Sequence, residues 1–531
     1  MRLSFAALKK SPFAAYGVYP LILAVTLILF LTAPLTENGT PWLYGGLFSL
    51  LLFALRPSSL LHRAVAADPS VWKNLFSAAV AILTALVCIL PMDNLSLWNG
   101  EIPGHRNQYE LMAEAILDGR IDFAYGDEEE LAELENPYDP EERQKEKVSY
   151  HWDHAYYNGH YYMYFGIVPV FLVFLPYRIL TGEALTTFHA TQIFVALAIA
   201  GIFVLFHLLC RLFFRKMPYS VYLLLSVSLS VMSVWYSSAE PALYCTAITS
   251  AIAVEIWSLF FFVWAVWGEK RENLQLLLAG IGALLGALAF GCRPPIALAN
   301  VLVLPMLWAF CKGRRFTLRL LGKLFLAALP YFVIGGLLMS YNAARFDSPF
   351  EFGQAYQLTV ADQSQYRVTL DLETLLRLTN GSLEHFFAIG SVSETFPYLY
   401  AAGAFYNFPI LLLGAALFLP SVQGCLKKHR LLPLALSLIA TVLLITALDI
   451  MWSPYLLERY HMDIYFLMGI SLFLAVGGLY ESSEKSAGLS FAASALSCVT
   501  VVSSFLFCFD QIGAYYPEVV QAMGETLHLI P

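Results

Sequence analysis

Apolar residues in this chain fill long runs instead of alternating or recurring on one helical face. The runs lie at about 17–35, 42–55, 75–91, 161–180, 187–209, 219–236, 244–268, 275–291, 296–310, 323–340, 404–421, 431–450, 462–480 and 488–508. An α-helix rises about 1.5 Å per residue, so about 20 apolar residues cross a hydrocarbon core about 30 Å thick. Each run therefore predicts a membrane helix, although 42–55 and 161–180 are short and the second is interrupted by Pro169 and Pro176. No small-residue cleavage site precedes Thr36-Glu37, so the basic start MRLSFAALKK and the run behind it read as an uncleaved first span.

The polar positions gather in two long stretches. Together with the runs they divide the chain into N-terminal spans (1–91), a first polar loop (92–160), central spans (161–340), a second polar loop (341–403), and C-terminal spans with a tail (404–531). Within the first loop, YELMAEAILDGR has helical spacing. It predicts an amphipathic helix with Leu111, Ala115 and Leu117 towards the membrane and Glu110, Glu114 and Asp118 towards water. The charge run GDEEELAELE (126–135) reads as solvated surface. There is no internal repeat.

Composition agrees with the runs: 59% of the 531 residues are apolar and only 13% charged. A soluble protein carries about 25% charged residues, so this is an all-α polytopic membrane protein. Charge also orients it. If every run crosses once from a cytoplasmic N-terminus, Arg211, Arg215 and Lys216 fall outside with Lys312, Arg314, Arg315, Arg319 and Lys323, against the positive-inside rule. Making 161–180 re-entrant or broken removes the conflict and leaves 20 of the 31 basic residues cytoplasmic. The expectation is about 13 crossings, one re-entrant or broken segment, and both polar loops outside. Residues 98–160 hold 16 acidic and 5 basic side chains, a net of −11 against −8 for the whole chain, so the rest is net positive. The eight cysteines lie in or beside apolar runs without paired spacing and read as small apolar filler, not a disulfide framework or thiolate metal site.

The densest polar and aromatic cluster is HWDHAYYNGHYYMYFG, residues 151–166. Tyr156, Tyr157, Tyr161, Tyr162 and Tyr164 suit membrane-interface anchors. Asp153 is different, because a carboxylate among aromatic rings is costly unless a cation, a metal or a substrate hydroxyl meets it. His151, Asp153 and His154 admit a metal, but neighbouring residues point in different directions, so a carboxylate-bound Mg²⁺ or Mn²⁺ at Asp153 fits better than zinc. Upstream, Asp93, Glu101, His105 and Arg106 stand after the 75–91 run, where they either face the same pocket or are solvated. Apart from the acidic loop and Arg178, the cations assigned outside are Arg293, Arg345, Arg367, Arg377 and Arg459, with no lysine among them. Arginine's planar fork suits phosphate or carboxylate. For Arg293 and Arg459, phosphate binding and structural pairing with Glu240, Glu458 or Asp463 are both open. Within the spans, Glu255, His189 and His207 are the notable ionisable groups. No P-loop, GxSxG, HExxH or strand-linked GxGxxG is present, which leaves nucleotide hydrolysis, zinc proteolysis and dinucleotide chemistry without support.

The many-span plan with an early acidic loop, and the segments NQYELMAEAILDGR (107–120), WDHAYYNGHYYMYFG (152–166), RFDSPFEFGQAYQL (345–358) and ERYHMDIYFLMG (458–469), resemble the GT-C superfamily of membrane glycosyltransferases. The resemblance covers most of the chain through loose motifs. It implies transfer of a sugar from a polyprenyl-phosphate donor to a glycan or other cell-envelope acceptor at the outer face of a bacterial cytoplasmic membrane, without nucleic acid. It also implies a loop carboxylate as base or metal ligand. Many members carry an acidic residue near the start of a helix like 107–120; here those positions are Asn107 and Gln108, which moves the expected base to Asp153, then Glu101, then Asp93. The implied substrate-binding set is Arg293, Arg459 and Arg345, with His105, Arg106, His151, His154, Tyr157 and Glu240 around them. The competing reading is a transporter or flippase for a lipid-linked or anionic substrate, pointed to by Glu255 and the broken run at 161–180.

Overall fold

In the computed structural model, residues 56–93 and 108–526 are described, apart from short stretches at 57–58, 127, 242, 366–368, 370, 394, 453–456 and 483–486. The expected spans at 17–35 and 42–55 lie outside the described residues, as do Glu101, His105, Arg106 and Arg367, together with the side chain of Asp93. The chain is an all-α polytopic bundle. Among the described residues ten helices are long and apolar enough to cross a membrane.

They begin with α1 (Val71–Asp93). After the short α2 (Gln108–Leu117) and α3 (Leu175–Thr181), the bundle continues with α4 (Thr187–Leu212), α5 (Tyr219–Ala239) and α6 (Leu243–Val263). Next come α7 (Glu272–Phe290) and a span that opens at Pro294, passes through a 3₁₀ turn and ends as α8 (Val303–Cys311). The helix α9 (Leu318–Phe346) is followed in the second loop by α10 (Leu372–Phe387). The remaining spans are α11 (Leu432–Trp452), α12 (Met462–Ser482) and α13 (Ala487–Tyr515). The centre of the bundle is α5, α6 and α12, which are buried nearly all round, whereas α9 presents Phe325, Phe332 and Leu337 outward. A helix apolar on every face suits both positions, since its outside meets either other helices or lipid.

The two ends of the bundle differ in charge. At one end Val65 bridges to Pro218, and the Tyr219 N–H donates to the Ala64 carbonyl at 2.8 Å. There Lys216 Nζ also donates to the Glu481 carbonyl at 2.9 Å, and Arg430 donates to the carbonyls of Ala309 and Lys312. These contacts gather Arg63, Arg211, Arg215, Lys216, Lys312 and Arg430 at one basic end. At the opposite end the Val168 N–H donates to the Gly291 carbonyl, and Arg345 donates to the Met163 carbonyl at 2.6 Å.

The 161–180 run does not cross. It is a π-helical turn, Val170–Phe174, continued by α3, and the 12 residues reach only about 18 Å. It packs on α2, with Phe174 stacked on Tyr109 and Arg178 paired with Glu114 at 2.7 Å. The buried face of α2 is Tyr109, Met112, Ala113 and Ala115, so Ala115, expected towards the membrane, packs inside the protein, while Leu117 stays exposed.

The run at 404–421 is broken instead of crossing as one straight helix. That run is a 3₁₀ helix, Pro409–Phe418, and a second helix, Pro420–Lys428, bent by 72°. Leu419 precedes a proline and is extended (φ −73°, ψ 133°), as the ring of Pro420 requires. The described residues hold 10 spans, or 11 if the bent pair counts as one.

Candidate functional site

At the end opposite the basic one, the two polar loops close over the bundle. A hairpin of β1 (Ala155–Tyr157) and β2 (His160–Tyr162) turns at Asn158-Gly159, both with positive φ (51° and 80°). On its open edge, Ala155 bridges to Gln357 of the second loop. The Asp153 N–H donates to the Leu358 carbonyl and the Leu358 N–H to the His154 carbonyl, both at 2.9 Å. Arg143, fully buried, ties the loops again by donating to the carbonyls of Pro137 and Thr359, both at 2.6 Å.

These contacts place Asp153. Its φ of +56° lies in the left-handed region, which aspartate tolerates better than most residues and which turns its side chain away from its neighbours. It is 5% exposed. One carboxylate oxygen accepts from the Tyr244 hydroxyl and the other from Gln357 Nε2 at 2.8 Å. Gln108 fixes the backbone beneath: its Nε2 donates to the Asp153 carbonyl at 2.9 Å and its Oε1 accepts from the Tyr164 N–H at 3.2 Å. Burial pushes the Asp153 carboxyl up to about 6, with Arg459 pulling the other way.

Asp153 opens onto a cavity of about 380 Å³, which Arg293, Arg345 and Arg459 also line. The three arginines are held differently. Arg293 precedes Pro294 and points back to α12, where Nε and Nη2 grip both oxygens of Asp463 at 2.6–2.9 Å. Arg345 lies over the Tyr341 ring at 3.9 Å and donates to the Met163 carbonyl and to Asn342 Oδ1 at 2.7 Å. Arg459 has neither ion pair nor hydrogen bond among the described residues. Its guanidinium lies 4.0 Å over the ring of Tyr244, whose hydroxyl meets Asp153.

The other expected residues fall outside this convergence. His154 Nδ1 donates to the Trp152 carbonyl at 2.9 Å, so Nε2 accepts from the Tyr125 hydroxyl at 2.8 Å. Burial holds its pKa down to about 4, which keeps it a neutral bracket. His151 stacks on Tyr125 at 3.6 Å. The Tyr157 hydroxyl donates to Asp347 at 3.3 Å on the exposed side of the hairpin. Glu240 accepts from Tyr236 at 2.8 Å, and burial raises its pKa. Among the described residues no group of three His, Cys, Asp or Glu side chains converges, and both Asp153 oxygens already accept hydrogen bonds. The described donor set thus fits neither zinc nor a Mg²⁺ or Mn²⁺ ion.

Sequence reasoning missed Tyr244, Gln357 and Gln108. Gln357 lies in the quoted segment RFDSPFEFGQAYQL, but only the pairing of the two loops shows which of its side chains matters. Tyr244 carries no local signal at all.

No family model matches the chain, and no curated protein matches it. Among solved structures, the oligosaccharyltransferase of Archaeoglobus fulgidus in its apo form is similar at a TM-score of 0.42 and 12% identity, over 84% of this chain and 57% of that one. The chain thus spans little more than half the length of that protein, and the similarity is too low to bear on the chemistry of the site.

Proposed function

We propose that the protein is a membrane glycosyltransferase. It moves a sugar from a polyprenyl-phosphate donor to a hydroxyl acceptor of the cell envelope. The observation that carries this reading is the convergence of Asp153, a hydrogen-bonded carboxylate, and Arg459, a guanidinium without an ion pair among the described residues, on either side of Tyr244 in one cavity.

Each part matches a need of the reaction. Asp153 takes the proton from the acceptor hydroxyl as that oxygen bonds to the anomeric carbon. The bond from that carbon to the phosphate oxygen breaks in the same step, and the electron pair leaves with the polyprenyl phosphate. A base with a pKa near 6 is ionised at neutral pH yet still able to hold a proton. The Arg459 fork meets the negative charge on the departing phosphate, where a preorganised donor is most effective. Phe290, Leu338 and Leu448 line the same cavity and offer an apolar path for the lipid. A basic end suits the cytoplasmic side under the positive-inside rule, which supports an outward-facing cavity and a lipid-carried donor.

Polyprenyl-phosphate glucose, mannose, galactose and arabinose, each offered to the purified protein together with an extract of cell-envelope glycans and lipids as acceptor, test the reading by release of polyprenyl phosphate. Release from at least one donor, lost in Asp153→Asn, is expected. Release from none contradicts it.

A further inference from the structure

The cavity has a second buried carboxylate that the reaction above does not use. Asp449, near the end of α11, lines the cavity and is 3% exposed. It has no hydrogen bond and no ion pair among the described residues, and its Oδ2 is sealed from solvent without a partner. The nearest cation does not answer it, because Arg293 is already gripped by both oxygens of Asp463. An unmet buried carboxyl costs several kcal/mol, whether as an isolated charge or as a neutral acid with a wasted donor. Asp463, with Arg293, shows how this bundle satisfies a carboxylate it needs for folding. Asp449, about five turns of helix from the basic end and lining the cavity, has no such partner among the described residues.

A carboxyl in this position repels phosphate and acylates nothing, but it hydrogen-bonds a hydroxyl in either protonation state. We infer that Asp449 reads a ring hydroxyl of the transferred sugar and sets donor specificity. The cavity then has two poles: Arg459 beside Asp153 for the phosphate and the reacting centre, and Asp449 for the sugar. This rests on the glycosyl-transfer reading and adds which residue selects the donor. A site built to bond a hydroxyl penalises a donor lacking it, because its own polar group is then left unpaired.

The test uses the full-length protein in detergent, with each parent polyprenyl-phosphate sugar that supports release and its monodeoxy analogues. In wild type, one analogue is expected to lose about 10- to 100-fold in kcat/KM, the size of one hydrogen bond to a charged group. In Asp449→Ala that loss falls to within about threefold, and in Asp449→Asn, whose amide keeps a neutral hydrogen bond, it falls part of the way, while the other analogues keep their ranking. Thermal stability of both variants stays at the wild-type level or above, since no hydrogen bond within the chain is removed. A purely structural role would instead lower stability and leave selectivity alone. Monodeoxy analogues all within threefold in wild type overturn the inference without any variant. Unchanged selectivity in both variants overturns it as well, leaving glycosyl transfer intact. Failure to use any parent donor overturns the glycosyl-transfer reading and this inference with it.

Discussion

Arg293 and Arg459 line the same cavity, stand at the same end of the bundle and were indistinguishable in the sequence, and both lie over the ring of Tyr460, yet they are held differently. Arg293 spends its fork on Asp463, a bidentate pair at 2.6–2.9 Å closed off within the bundle. Arg459 stacks on Tyr244, and among the described residues its donors have no hydrogen-bond or ion-pair partner. A buried ion pair of the first kind adds little net stability, but breaking it strands a charge. A guanidinium of the second kind contributes little to the fold and retains its capacity for an anion. The difference separates structure from chemistry: among like residues around a cavity, the one without a partner is the better functional candidate.

The strongest way to sharpen this comparison is at the carboxylate that Arg459 faces. Asp153→Asn is expected to lower transfer by about 10² to 10⁴, the usual worth of a positioned general base. Arg459→Gln comes next: a loss of about 10² to 10³ in kcat, as for removal of one oxyanion donor, with thermal stability unchanged. Because Arg459 lowers the Asp153 pKa, its removal also moves the acid limb of the pH–rate profile to higher pH. Arg293→Gln should behave in the opposite way, destabilising the protein by about 3–5 kcal/mol in a denaturation assay. Asp463→Asn added to it should restore part of that loss. If Arg459→Gln unfolds the protein and Arg293→Gln only slows it, the comparison is reversed.

The smallest effect concerns pH. The folded Asp153 pKa of about 6 lies above the ordinary carboxylate value near 3.9. Its contribution to stability is therefore fully present below about pH 4 and is lost as pH rises through 6, the same ionisation that makes the base competent. Wild type should show an acid limb near pH 6 in kcat/KM. Its thermal midpoint should fall relative to that of Asp153→Asn between pH 4 and 7. Glu255 offers a contrast from the bundle interior. It lies beside Asn300 Nδ2 at 3.3 Å and does not line the cavity, so Glu255→Gln should leave transfer near the wild-type rate, whereas a transporter built on that residue would lose function.

Long apolar runs made the helical architecture legible, because membrane spans satisfy their backbone internally and need only length and apolarity. The non-crossing 161–180 segment was legible too, through its prolines and the basic residues that follow it. The break at Leu419 was not, since a run of apolar letters does not distinguish a 3₁₀ helix from an α-helix. In the site, the density of aromatics around Asp153 picked out the carboxylate. Its partners were hidden, because Tyr244, Gln357 and Gln108 reach it across 91, 204 and 45 residues of chain. The roles of Arg293 and Arg459 depend on which one Asp463 meets, and that is decided by helix packing.

The most direct test is a structure of the protein with a polyprenyl phosphate bound. The phosphate is expected within hydrogen-bonding distance of Arg459, on the side of the cavity that Asp153 faces, with the Arg293–Asp463 pair intact. A phosphate held by Arg293 in place of Asp463, or bound away from the cavity while Arg459 remains stacked alone on Tyr244, contradicts this expectation.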